Sequence, residues 1–294
     1  MKKSLAVIIF VSIILVGGAL AILNHPRVAS LISPFAGGPL SKHFALPTAL
    51  PTPIPSPSPS PSPLTFAQMN ALYGPCVYVP TLMYHHVENL NSAKTEGHGN
   101  LTVGDDYFRK QMQYLKDRGY SVIKMQDLIN IFDGGTAPPA KPVLLTFDDG
   151  YTDFFTTAFP ILREFDFHAT LFLPTGLVEN PGYLTWSQVL EVSGTGLAYI
   201  ANHTWSHHSV ASSKDVIEKE ISVADSQLKD RGLNQTKIFA YPYGLANSNA
   251  INFLNQLGYK LAFTTVHGST LCKKMRLDLP RIRIGNANLN AYGL

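Results

Sequence analysis

Apolar residues in this chain fall into short runs and helical stripes that alternate from about residue 76 to the end. Val143-Leu144-Leu145, bounded by Pro142 and Gly150, reads as a buried strand. Ala169–Leu173, Leu197–Ala201, Lys237–Tyr241, Lys260–Thr265 and Leu279–Ile284 repeat that pattern. Cys76–Met83, rich in Val, Tyr and Leu, predicts a first strand, and Tyr120–Ile123 a short one. Between the runs, apolar residues recur at helical spacing. Phe108, Met112 and Leu115 share a face of a helix expected over Asp105–Gly119, with Gly119 as its stop. Met125–Phe132, Asp153–Glu164, Trp186–Val192 and Asn249–Leu257 predict further helices. Lys214–Asp230 is the longest, with Val216, Ile217, Ile221, Ala224 and Leu228 turned inward. Alternation of this kind over roughly 220 residues predicts an α/β fold, a parallel sheet with right-handed crossovers curled into a barrel. In such folds chemistry gathers at the carboxyl ends of the strands.

Residues 1–23 break the pattern. Lys2-Lys3 precede an apolar segment, Ser4 to Leu23, which at about 20 residues is long enough to span a bilayer as a helix. The positive flank keeps the N-terminus in the cytoplasm and predicts a single-pass anchor with the remainder outside the cell membrane. Ala19-Leu20-Ala21 resembles a cleavage site, so secretion after signal removal is the alternative. Residues 24–63 end in the alternating Ser56-Pro57 to Ser62-Pro63 and read as a spacer extending about 3.1 Å per residue. The folded domain is expected over 64–294.

Composition narrows the function classes. With 45% hydrophobic and 15% charged residues, most of the chain should fold. A net charge of +3 without dense Lys/Arg blocks gives nucleic-acid binding no electrostatic support. Cys76 and Cys272 are too far apart for a CxxC motif and are either a disulfide in an exported domain or two buried thiols.

The candidate chemistry centres on Thr146-Phe147-Asp148-Asp149-Gly150, at the end of the apolar run. Two adjacent carboxylates at a strand end are costly to desolvate unless a cation meets them. Successive side chains on a strand point to opposite sides, so Asp148 and Asp149 are expected to have different jobs. His203 and His207 stand four apart, and Thr204 occupies the place where a zinc protease needs Glu. With Asp149 they would make a His, His, Asp site with open positions, suited to Zn²⁺ and tolerable for Co²⁺ or Ni²⁺.

In order, Thr146-Phe147-Asp148-Asp149-Gly150, His203-Thr204-Trp205-Ser206-His207 and Phe239-Ala240-Tyr241-Pro242-Tyr243-Gly244 resemble the first three motifs of the polysaccharide deacetylases, carbohydrate esterase family four. That resemblance, over roughly Val77 to Ile284, implies a distorted (β/α) barrel, one divalent metal and hydrolysis of N-acetyl groups on sugars. It implies Asp148 as general base, Asp149, His203 and His207 as metal ligands, and the backbone N–H of Tyr243 facing the developing oxyanion. Ala240 stands where many members have an Arg that tethers the base, and a late Leu-x-x-His segment is not evident, Val266-His267-Gly268 being an imperfect candidate. Tyr84-His85-His86-Val87 and Leu279-Pro280-Arg281-Ile282 resemble the poly-N-acetylglucosamine deacetylase branch, which implies His85 as general acid and Arg281 as partner of Asp148.

The resulting expectation is a metal-dependent hydrolase acting as a monomer on an acetylated extracellular polysaccharide of cell wall or biofilm. The polymer is left open among peptidoglycan, a β-1,6-linked exopolysaccharide and a chitin-like chain. An O-acetyl esterase or an inactive carbohydrate-binding homologue are the alternatives. Tyr151, Tyr183, Trp186 and Trp205 are candidates to line a sugar groove, with Trp205 foremost and Trp186 better explained by packing.

Overall fold

The structure, a computed structural model, describes residues 63–294. Among the described residues no helix is long and apolar enough to cross a membrane. The anchor expected over 1–23 and the spacer over 24–63, except Pro63, lie outside the described residues.

Seven strands form the barrel: β1 (Thr81–Tyr84), β2 (Pro142–Phe147), β3 (Ala169–Leu173), β4 (Ala198–Asn202), β5 (Ile238–Ala240), β6 (Leu261–His267) and β7 (Leu279–Arg283). Each pairs in parallel with its neighbour in sequence, and β7 and β2 flank β1, which closes the ring. Closure is shallow where β7 meets β1, with Ile282 opposite Leu82 and Arg283 opposite Met83. The short strand Ser121–Val122 pairs with the first residues of β2 and sits outside the ring. Helices occupy most of the connections as the stripes predict. Phe108, Met112 and Leu115 are buried on helix Asp105–Asp117, and Ile217, Ile221, Ala224 and Leu228 on helix Lys214–Lys229.

Two expectations are corrected. The run Cys76–Met83 is two strands, Cys76–Tyr78 and β1, parted by Val79-Pro80 because proline offers no N–H to a ladder. Cys76–Tyr78 instead pairs antiparallel with Thr270–Cys272 on the return from β6, and a Cys76–Cys272 disulfide joins the two. The helix expected over Asp153–Glu164 opens as a π-turn, Phe154–Ala158, before Phe159–Phe165, with Phe159 N–H donating to Phe154 O and Pro160 donating nothing. Between β1 and the first long helix the chain also forms a parallel pair, His86–Glu88 with Thr102–Gly104, around helix Leu90–Glu96.

Alternation on the strands sorts the core. Val143, Leu145, Phe147, Leu171 and Ile200 face the helices. Leu144, Phe172, Ala201, Ala240 and Phe263 face the barrel axis. At the N-terminal end Ile238, Leu261 and Leu279, the first residues of β5, β6 and β7, pack with Val79, Leu271 and the inner face of helix Met125–Phe132. This apolar plug leaves the opposite end of the barrel to polar groups.

Candidate active site

Asp148 continues the inner face of β2 after Leu144 and Thr146, and Arg281 of β7 meets it there. Arg281 Nη1 donates to Asp148 Oδ1 and Nη2 to Oδ2, both at 2.7 Å. Nη1 also reaches Thr146 Oγ1 at 3.2 Å, and Nε donates to Thr264 O at 2.9 Å. The guanidinium is fully buried, 5.4 Å from the centre of the Phe172 ring. Burial alone would raise the Asp148 carboxyl; the charge and hydrogen bonds of Arg281 outweigh it and hold the group below the usual range.

Alternation would send Asp149 away from the axis, and here the expectation of opposite sides fails. β2 stops at Phe147, and left-handed backbone at Asp149 (φ 75°) and Gly150 (φ 70°) swings the carboxylate back to the mouth. The positive φ at 150 favours glycine, and a Cβ there would lie 2.4 Å from Leu173 Cδ1, so that side chain would have to shift. The two acids do keep different partners, Arg281 for Asp148 and the histidines for Asp149.

His203 follows β4, two residues beyond the inward Ala201, and the four-residue spacing to His207 is made by a loop, not a helix. Thr204 (φ 70°) and His207 (φ 59°) bend that loop. Its supports were not singled out from the sequence. Asn202 Oδ1 accepts Thr204 N–H at 2.8 Å, and the buried Glu220 accepts Ser206 N–H at 2.8 Å and its hydroxyl at 2.7 Å. A sequence signal for Glu220 existed: it is a charge on the apolar stripe between Ile217 and Ile221. Left-handed non-glycine residues thus recur at the mouth, Tyr243 (φ 61°) included, where backbone strain tolerated by the surrounding scaffold commonly serves function.

Asp149, His203 and His207 each bring one ligand atom within 4.8 Å of the others. Asp149 Oδ1 lies 3.4 Å from His203 Nε2 and 3.1 Å from His207 Nε2. His203 Nδ1 donates to Ala240 O at 2.7 Å, which leaves a lone pair on Nε2. Accordingly Asp149 Oδ1 is buried without a hydrogen-bond donor. An oxygen and an imidazole nitrogen that face each other as lone pairs fit a shared cation, and a two-nitrogen, one-oxygen set suits Zn²⁺ or a similar divalent ion.

Tyr243 sits in the turn Pro242–Gly244, its ring 4.9 Å from that of His207 and 64% exposed. Gly244 N–H donates to Tyr241 O and Leu245 N–H to Pro242 O, so the Tyr243 N–H takes no part in the turn's own bonds. Gly244 (φ 72°) is packed against Thr265, whose Oγ1 would be 2.0 Å from an added Cβ. His85 follows β1 close to the mouth: burial lowers its pKa against the raising pull of Asp148 and Asp149. His267, the last residue of β6, is exposed.

Of the aromatic candidates, Tyr151 lies beside Asp149 with its ring 5.2 Å from Tyr183. Trp186 packs on the core under Arg231 at 3.8 Å. Trp205 lies against Gly176 with Lys219 Nζ 4.8 Å from its ring centre, and braces the loop between the histidines.

Residues 135–262 match the family model of polysaccharide deacetylases. The Bacillus subtilis (strain 168) protein YxkH, whose name places it among the polysaccharide deacetylases, is 30% identical over 208 residues, 70% of this chain and 71% of that one. Poly-beta-1,6-N-acetyl-D-glucosamine N-deacetylase of Escherichia coli (strain K12) is 29% identical over 231 residues covering 63% of this chain, and the chain spans only 34% of that relative's length. Among solved structures, the Streptococcus pyogenes deacetylase PplD in complex with acetate is similar at a TM-score of 0.65 and 34% identity, over 71% of this chain and 92% of that one.

Proposed function

Because this chain belongs to the polysaccharide deacetylase family, we propose that it hydrolyses N-acetyl groups of a β-1,6-linked N-acetylglucosamine polymer with one divalent ion held by Asp149, His203 and His207. The observation that carries this reading is the division of the acid pair. One carboxylate turns an oxygen that has no hydrogen-bond donor toward two imidazoles while its neighbour is gripped by a buried arginine. Relatives bearing the β-1,6 name support the choice of polymer.

A divalent ion in such a set lowers the pKa of water and polarises an acetyl carbonyl. The chain's own groups supply the rest. Asp148, kept ionised by Arg281, accepts the proton of the attacking water on a lone pair that the guanidinium leaves free. Tyr243 N–H donates to the oxygen that gains charge as the carbonyl becomes tetrahedral. His85 gives a proton to the departing amine nitrogen, without which an amide bond breaks poorly. His203 is oriented by the Ala240 carbonyl, a support whose loss typically costs 10–100-fold in metal affinity or activity.

The Cys76–Cys272 disulfide and the Lys2-Lys3 flank of the apolar N-terminal segment support a catalytic domain displayed outside the cell membrane. Acetate release by the whole protein, with and without chelator, from β-1,6-linked N-acetylglucosamine oligomers, chito-oligosaccharides and peptidoglycan tests the proposal. Chelator-sensitive release that is fastest on the β-1,6 oligomers is expected. Release from none of the three after Zn²⁺ is restored would overturn it.

A further inference from the structure

A second group of imidazoles and carboxylates gathers beside the mouth. His86 and Glu88 are two apart on one short strand and share a face. Helix Leu90–Glu96, closed by Gly97 at φ 90°, then brings the chain back so that His98 lies against them. His98 Nε2 is 2.6 Å from Glu88 Oε1, and His86 Nδ1 is 3.6 Å from that oxygen and 2.7 Å from Asp153 Oδ2. The two imidazole rings stack with centroids 4.4 Å apart. His86 is buried, Glu88 and His98 are half-buried, and the group opens on a cavity of about 520 Å³ shared with Glu96, Tyr151 and Tyr183. None of the four side chains takes part in the chemistry proposed at the mouth.

We infer that His86, Glu88 and His98 form a second divalent-metal site, with Asp153 Oδ2 behind it as the hydrogen-bond partner that orients His86 through Nδ1. Two imidazoles and a carboxylate offer ligand atoms within 4.8 Å of one another, the donor types that Zn²⁺, Co²⁺ and Ni²⁺ take. Two ligands at about 2.1 Å from a tetrahedral ion stand about 3.4 Å apart, so the 2.6 Å between His98 Nε2 and Glu88 Oε1 would open by less than about 1 Å on binding. In the metal-free form each short contact needs a proton, one between His98 and Glu88 and one between His86 and Asp153. A divalent ion would take the place of the proton between His98 and Glu88, which a neutral imidazole can carry on its other ring nitrogen, while Asp153 keeps its hydrogen bond to His86 Nδ1.

The ligands are held before any ion arrives. Asp153 Oδ1 accepts Val87 N–H at 2.8 Å, fixing the carboxylate, and the Tyr151 ring lies 3.7 Å from that of His86. Tyr151 is also the residue beside Asp149. An ion at the second site would pin the excursion between Glu88 and His98 and stiffen the wall that the two sites share.

Zn²⁺ bound per chain, measured on the whole protein by equilibrium dialysis and metal analysis, tests the inference. The wild type should hold two ions, His98→Ala and Glu88→Gln one each, Asp149→Ala one, and His98→Ala with Asp149→Ala none. Glu88→Gln keeps the side-chain size and decides the matter should His98→Ala lose its fold by circular dichroism. A wild type holding one ion that neither His98→Ala nor Glu88→Gln removes would overturn the inference, as would two ions untouched by both. Failure at the mouth alone looks different: one ion that Asp149→Ala leaves in place and His98→Ala removes.

Discussion

The two ends of the barrel are built from the same strands and hold opposite chemistry. At the end where the strands begin, Leu261, Leu279, Ile238, Val79 and Leu271 pack into an apolar plug, and the disulfide ribbon is fastened alongside. Where the strands finish, Asp148, Asp149, His203 and Arg281 are all buried, and left-handed backbone recurs at non-glycine residues. Burying apolar side chains stabilises a fold, at roughly 25 cal/mol per Å² removed from water. Burying charges stabilises only when each is paired, and removing one partner typically costs about 3–5 kcal/mol. The plug therefore carries stability, and the mouth draws on it to hold strained, charged groups in place for chemistry.

That division makes mutations at the two ends separable. The largest effect is expected from His203→Ala or Asp149→Ala, which should remove the ion at the mouth and reduce acetate release to background; metal analysis beside the acetate assay checks both together. Next comes Asp148→Asn, where turnover should fall about 10²–10⁴-fold with metal content unchanged. Turnover near the wild-type level in that variant would remove Asp148 from proton handling. His85→Ala should slow amide hydrolysis by about 10²-fold and hydrolysis of a matched acetyl ester less, because an alkoxide leaves more readily than an amide nitrogen. An equal loss on both substrates would count against the acid role.

Arg281→Met sharpens the comparison from the other side, since it should damage fold and turnover together. It leaves Asp148 buried without its cation, with an expected loss of about 3–5 kcal/mol in denaturant unfolding. The smallest effect on turnover is expected from Cys272→Ser. Opening a crosslink of 196 residues lowers stability by about 5 kcal/mol in the chain-entropy picture, read as a fall in Tm, while kcat per folded molecule stays the same. A large drop in kcat there would show that the two ends are coupled.

Local patterning carried much of the architecture. The run Val143-Leu144-Leu145 and its later counterparts are strands, and the stripes at Phe108, Met112 and Leu115 and at Ile217, Ile221 and Ala224 are the buried faces of helices. The acid pair and both histidines were equally visible, as residue types at strand ends, and Arg281 and the turn at Tyr243 through the motifs that resemble the family. Less visible were features that depend on two distant segments meeting. Pro80 marked the break between Cys76–Tyr78 and β1, yet its partner Thr270–Cys272 comes almost 200 residues later, and antiparallel pairing over that distance has no local signature. Glu220 was legible only as a misplaced charge, and the loop it supports explains why it is buried.

Hydrophobic periodicity by itself determined that this chain alternates strand and helix and which face of each is buried, because those choices depend on neighbours within a turn or a pleat. Only the tertiary structure decided where the charged groups meet. Asp149 reaches the histidines through a left-handed backbone that no strand pattern encodes. His86, Glu88 and His98 are gathered by a helix and a glycine turn into a cluster that looks, along the chain, like scattered polar residues. Convergence of side chains from separate elements is a property of the closed barrel and its loops, and it exists only once the long-range contacts have formed.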